Sequence, residues 1–97
     1  MLGNAVAVSD GCTHLDTIHH TEGREGVAGC PECIAIGSWW VHLRRCTECG
    51  QVGCCDDSPN KHASKHHEAS GHPIIRSLEP GEDWYWCFED ELAFLLS

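Results

Sequence analysis

The clearest alternation of apolar and polar positions lies in Ser38–Arg45, SWWVHLRR. Trp40, His42 and Arg44 fall on one side and Trp39, Val41 and Leu43 on the other, the period-two pattern of a strand with one buried face. Pro73–Leu78 (PIIRSL) predicts a second strand and Asp83–Phe88 (DWYWCF) a third, joined by the turn residues Glu79-Pro80-Gly81-Glu82. In the third strand Trp84, Trp86 and Phe88 share a face, with Tyr85 and Cys87 opposite. Helices are predicted in two places. One opens at Asp57 or Ser58 as N-cap, with Pro59 in its first turn, and ends before Gly71, whose missing Cβ suits that position. It sets His62 and His66 four residues apart, on one face. Glu89–Leu96 predicts a short terminal helix with Leu92, Phe94, Leu95 and Leu96 as its apolar members. The sum is an α+β fold: a small antiparallel sheet packed against a His-bearing helix and a short C-terminal helix. Residues 1–11 are small and mixed and read as a loose end, which puts the domain at 12–97.

Such a sheet has little apolar material to close on. Leu, Ile, Val and Phe supply 19 of 97 residues and the formal net charge is −9, a composition at the edge of what folds by burial alone. Structural zinc, at on the order of 10 kcal/mol per site, closes that gap. Eight cysteines in a short chain also fit a disulfide framework. Against it, MLGNAVAVSD has no basic residue and no apolar run of signal-peptide length, and disulfides give eight His no role. The expectation is a reduced, metal-bound, cytoplasmic chain. No stretch approaches the roughly 20 apolar residues of a membrane span. Six Lys and Arg against fifteen Asp and Glu argue against a nucleic-acid partner. Seven bound thiolates and three dications would move the charge from −9 only to −10.

The chemistry concentrates in Cys46–His72, where 27 residues carry four Cys and four His. Cys46 and Cys49 have the two-residue separation that lets a tight turn aim two sulfurs at one ion, and Gly50 follows where such a turn needs a free backbone. Cys54, His62, His66 and His72 come after them. A second pair, Cys30-Pro31-Glu32-Cys33, lacks the βαβ surroundings of a thioredoxin-like redox motif. Two such pairs beside a His-bearing helix are a zinc signature. Spacing alone also allows both pairs to share one ion, as in a zinc ribbon, although twelve intervening residues are fewer than that pattern has. Cys12 and His14 point the same way in an extended segment and suit a shared ion. His19 and His20 lie in a polar, glycine-containing loop and His42 on a strand surface, and none of the three is counted as a ligand.

Together, Cys12-x-His14, Cys30-x2-Cys33, Cys46-x2-Cys49, Cys54, His62-x3-His66-x5-His72 and Trp86-Cys87 resemble the UBP-type zinc finger, the ubiquitin-binding domain of deubiquitinases, in a small stand-alone form. The resemblance implies two to three Zn²⁺ ions. Cys30, Cys33, Cys54 and His62 would hold the first; Cys46, Cys49, His66 and His72 the second, with His67 a substitute for His66. Cys12, His14 and Cys87 would hold the third, with Asp90 where that family has Cys; a carboxylate also ligates zinc. Cys55 receives no role. The family's ligand is the free C-terminal tail of ubiquitin, paired through an Arg two residues after the Cys54 position and lined by aromatics. Trp86 and Phe88 match two of those aromatics and Trp40 a third. Asp56 stands in place of the Arg, with Asp57 next to it, and Ala93 replaces a pocket Tyr. A carboxylate at Asp56 repels a ligand carboxylate, forfeiting a charge-assisted pair of roughly 1.5–3 kcal/mol. The implied partner is therefore a protein or peptide tail of basic character, ahead of ubiquitin itself.

Two other classes compete with a binding module. Without Asp90 as a ligand, Cys12, His14 and Cys87 would leave a zinc position open for catalysis, with Glu89 as a candidate base. His20-x-Glu22 before Cys30-x2-Cys33 echoes the zinc deaminase signature, but the gap is too short and Pro31 falls on the wrong side of the first Cys. Four protein donors per ion leave no place for substrate, so the expectation is no enzyme. A thiol-based redox or metal sensor using Cys55 ranks last, because thiolates in stable zinc sites are protected.

Overall fold

The structure is a computed structural model that describes residues 12–96; the predicted loose end at 1–11 lies outside them. Its frame is a five-stranded antiparallel sheet. The strands are β1 (Leu43–Cys46), β2 (Val52–Cys54), β3 (Ile74–Ser77), β4 (Tyr85–Cys87) and β5 (Leu92–Phe94), in the order β2-β1-β3-β4-β5. Two helices accompany it, α1 (Pro31–Ile36) and α2 (His62–Ser70), with a 3-10 turn at Leu15–Thr17. The α+β class, the sheet and the His-bearing helix thus stand as the sequence predicts.

The pairing register divides the sheet into two faces. Leu43, Ile74, Tyr85, Cys87 and Phe94 point to one side and are buried there in two clusters. The first joins Leu43, Val52, Cys54 and Leu78 to Cys30 and Cys33 of the α1 segment; the second joins Ile74, Tyr85, Cys87 and Phe94 to Cys12. Five of these eleven core members are cysteines, in keeping with a core too small to close by oil alone. The opposite face carries Arg44, Gly53, Ile75, Trp86 and Ala93, opposed in register. Helix α2 lies against it at Gly53, where a Cβ would stand 2.7 Å from the backbone nitrogen of Ala63.

Three expectations are corrected. The predicted terminal helix is absent: Phe88–Glu91 turns back and Leu92–Phe94 pairs with β4, burying Phe94 against Tyr85 with ring centroids 5.6 Å apart. Eight residues are too few for an isolated helix, and the hairpin gives Phe94 a buried partner. The His helix begins at His62, not near Pro59, with Lys61 in the left-handed region (φ 50°) as its N-cap. Ser58 is instead buried, accepting a hydrogen bond from the Val41 N–H at 2.8 Å. The first strand shortens to Leu43–Cys46, leaving Trp39 and Val41 exposed, because Ser38–His42 wraps the first cysteine cluster: the His42 carbonyl accepts from Cys55 N–H at 2.9 Å. Trp40 packs on that same cluster, close over Gly29. The turn Glu79–Glu82 closes as predicted, with Gly81 at φ 82°.

Candidate metal centres and groove

Each helix and hairpin brings donors from distant positions to one point. Helix α1 starts on Cys30 as N-cap with Pro31 in its first turn, and its early end at Gly37 (φ 70°) leaves Cys30 and Cys33 on one side. Cys54 arrives at the end of β2 and His62 at the start of α2. His62 Nδ1 lies 3.3 Å from Cys30 Sγ, 3.4 Å from Cys33 Sγ and 3.6 Å from Cys54 Sγ, and the last two sulfurs are 3.8 Å apart. All four residues are buried.

The second group forms at the β1–β2 turn. Cys46 Sγ is 3.4 Å from His72 Nδ1, Cys49 Sγ is 3.4 Å from His66 Nε2, and those two nitrogens are 3.3 Å apart. The third group joins the N-terminal segment to the β4–β5 turn. His14 Nδ1 lies 3.1 Å from Asp90 Oδ2 and 3.5 Å from Cys87 Sγ, with Cys12 completing the four. In every group all four donor atoms lie within 4.8 Å of one another.

These distances can be compared with an ion's requirements. Tetrahedral zinc with Zn–S about 2.3 Å and Zn–N about 2.0–2.1 Å sets sulfur and nitrogen about 3.5 Å apart and two sulfurs about 3.8 Å apart. The sulfur–nitrogen and sulfur–sulfur distances given above match those edges within a few tenths of an ångström. The surroundings match as well. His62 N–H donates to Cys54 Sγ (3.2 Å), Asn60 Nδ2 to Cys33 Sγ (3.6 Å) and Asp90 N–H to Cys87 Sγ (3.5 Å), contacts that would also stabilise thiolates. His72 turns its other ring nitrogen to Glu48 at 3.7 Å, the outer carboxylate that orients a ligating imidazole. Burial pushes the Cys30 thiol up to about 12, the Cys87 thiol up to about 11, and the Cys46 thiol upward too. Packed together without a cation, such thiols stay neutral; a dication supplies the charge that holds them as thiolates. Asp90 goes the other way, its carboxyl held below the usual range first by the Thr13 backbone N–H, which donates to Oδ2 at 2.8 Å.

The twelve predicted ligands thus fall together in three sets of four. His67 is outside them: its ring stacks on Phe88 with centroids 4.3 Å apart, and its nitrogens face the His72 carbonyl (2.9 Å) and Glu89 (3.4 Å). That contact also occupies Glu89, the candidate base, while Asp90 stands at the fourth position of the third group. Cys55 is buried beside Ser58, 3.5 Å from its hydroxyl.

On the α2 face of the sheet lies an apolar cavity of about 550 Å³, within the range of ligand sites. Ile75, Trp86 and Ala93, cross-strand neighbours on β3, β4 and β5, form its floor; Trp84 and Phe88 extend it, Ala63 and Ser64 of α2 wall one side, and Asp56 and Asp57 stand at its edge. A neighbouring hollow shares Asp56, Trp86 and Phe88 and adds Glu68 and Glu91. Trp86, Phe88 and Asp56 are therefore where the sequence places them. Trp40 is not: it serves the core cluster on the other face. Arg44 lines the cavity too, a residue that the sequence does not nominate for the site. Its place on the Trp40 side of the alternating segment was the available signal, obscured because that segment is only half strand.

The family model described as the Zn-finger in ubiquitin-hydrolases and other protein matches residues 30–94. Among solved structures four chains match. One is the solution NMR structure of protein RPA1320 from Rhodopseudomonas palustris, at 54% identity and a TM-score of 0.76, covering 90% of this chain and 83% of that one. No curated protein matches the chain.

Proposed function

Because this chain belongs to the family of the Zn-finger in ubiquitin-hydrolases and other proteins, we propose that it is a non-catalytic module that binds three zinc ions and presents an aromatic groove to a protein or peptide segment. Cys30, Cys33, Cys54 and His62 hold the first ion, Cys46, Cys49, His66 and His72 the second, and Cys12, His14, Cys87 and Asp90 the third. Bound there, the ions clamp segments that share little apolar contact. The observation that carries this reading is that the chain gathers three separate sets of four donors, the atoms of each set lying within 4.8 Å of one another. Four protein donors per ion leave no position for a substrate, which supports a structural role over a catalytic one. That none of the eight cysteines is drawn into a disulfide fits a reducing compartment such as the cytoplasm, and no described helix is long and apolar enough to cross a membrane.

The groove is the binding surface. Asp56 and Asp57 give its edge negative charge, so the ligand is a basic segment and the carboxylate tail of ubiquitin is disfavoured at that edge. Zinc stoichiometry by native mass spectrometry tests the first half, with three ions per chain expected and none refuting it. For the second half, Asp56→Arg is expected to weaken binding of a lysine-bearing peptide to the zinc-loaded protein, measured by tryptophan fluorescence. Unchanged affinity would remove the basic-ligand reading.

A further inference from the structure

The three donor sets differ in how they are held. The first two are joined through α2, which supplies His62 to one and His66 to the other, and through the β1–β2 hairpin, which supplies Cys46, Cys49 and Cys54. The third stands apart at the other edge of the sheet, where Cys87 ends β4, Asp90 lies in the turn to β5, and Cys12 and His14 come from the N-terminal segment. Exposure does not single it out, because Cys49 of the second set is exposed as well. Donor chemistry does: of the three sets, it alone includes an oxygen.

That oxygen is already engaged. Asp90 Oδ2 accepts from the Thr13 backbone N–H at 2.8 Å and from the Thr13 hydroxyl at 3.2 Å, and lies 3.1 Å from His14 Nδ1. An ion would take the same oxygen and the same nitrogen, yet the two also suit each other, since an imidazole with its proton on Nδ1 donates to a carboxylate. Lone pairs shared among three partners leave less for an ion, and donors that pair with one another lose less when it departs. The other two sets have no such alternative. Their imidazole nitrogens face thiol sulfurs, weak hydrogen-bond partners, and in the second set another imidazole nitrogen at 3.3 Å.

We infer that the third set is an exchangeable metal site, which takes up and releases its zinc while the other two stay loaded, and that its occupancy controls the order of the β4–β5 hairpin. This rests on the three-ion reading above and adds regulation to it. The hairpin also floors the groove: Trp86 and Cys87 are neighbours on β4 with side chains on opposite faces, and Phe88 and Ala93 flank the turn that holds Asp90. Strand β5 is three residues long and pairs with β4 alone, so a clamp from Cys87 to Asp90 steadies that wall of the groove. Zinc at the third set and a ligand in the groove are then linked, each favouring the other by the same factor.

The test holds zinc-saturated full-length protein at a falling series of free-zinc concentrations set by chelator buffers. Native mass spectrometry counts the bound ions, and NMR follows the backbone amide and tryptophan indole signals. Wild type is expected to step from three ions to two at a free-zinc level at least about tenfold above that at which the next ion leaves. In that step the amides of Cys12–Ile18 and Tyr85–Phe94 and the Trp86 indole shift or broaden, while Trp39, Trp40 and α2 hold still. Asp90→Cys, which replaces the shared oxygen with sulfur, is expected to narrow the step to less than about threefold; should that variant not fold, the wild-type titration decides alone. Loss of all three ions together, or a first step that moves the His66 and His72 signals, overturns the inference and leaves the three-ion reading standing. A step that leaves the Trp86 indole unmoved overturns the link to the groove. A chain that holds only two ions at saturating zinc ends this inference alone; one that holds none ends the reading beneath it as well.

Discussion

Replacing Cys54 with Ser strikes the one metal group whose four members are all buried. Cys54 is 0% exposed, its sulfur lies 3.6 Å from His62 Nδ1 and 3.8 Å from Cys33 Sγ, and it accepts the N–H that opens α2. A hydroxyl is a poor zinc ligand, so the variant forfeits most of a site that contributes on the order of 10 kcal/mol. A domain of this size has a total stability of roughly 5–15 kcal/mol, so the loss is expected to unfold it. Asp90→Asn is the matched control. Asp90 sits in the turn before the edge strand, and an amide oxygen can still accept from Thr13 N–H. It is expected to lose at most one ion while β1, β2 and β3 stay folded. Native mass spectrometry counts the ions, and dispersion of amide proton signals reports the fold, each with and without chelator. If Cys54→Ser keeps wild-type zinc content and melts within about 5 °C of wild type, roughly 1 kcal/mol for such a domain, the claim that buried sulfurs clamp this fold is wrong.

Other substitutions separate ligands from neighbours. His66→Asn is expected to remove one zinc per chain, whereas His67→Asn, losing a stack on Phe88 and a contact to Glu89, keeps all of them by the same count. Cys55→Ser is expected to leave zinc content unchanged, because its sulfur meets Ser58 and belongs to none of the three sets. Gly53→Ala drives a methyl to within 2.7 Å of the α2 backbone and is expected to cost roughly 1–3 kcal/mol, seen as a lowered melting temperature.

What the sequence revealed followed from how local each signal was. The paired cysteines and the i, i+4 histidines are set by turns and one helix, so spacing alone nominates them. The strands Ile74–Ser77 and Tyr85–Cys87, with their flanking turn, were equally legible because alternation and turn chemistry agree there. Elsewhere tertiary contacts overrode local preference. Ser58 is a good N-cap by type, yet it is drawn inward to Val41 N–H, and α2 starts where Cys54 receives the His62 N–H. Glu89–Leu96 has helical apolar spacing, but pairing with β4 claims its middle residues. Helix α1 and strand β2 are six and three residues long, too short for any periodicity to register. Trp40 and Arg44 look equivalent in the alternating stretch; only the strand's late start at Leu43 sends one to the core cluster and the other to the groove.

That division of faces bears on how such a chain acquires its specificity. The residues that close the cores, Leu43, Ile74, Tyr85 and Phe94, share the sheet face opposite Trp86 and Ala93. The groove's polar residues, Arg44, Asp56 and Asp57, belong to none of the three donor sets or the two buried clusters. Changing Asp56 therefore costs the fold little beyond one hydrogen bond from Ser64, while it reverses the charge a ligand meets. The apolar core residues of the strands and the groove's aromatic floor thus lie on opposite faces, and the charges that line the groove are separate from the twelve donors. A match to the family's donor pattern accordingly fixes how the chain folds, and the ligand has to be read from the charges of the groove itself.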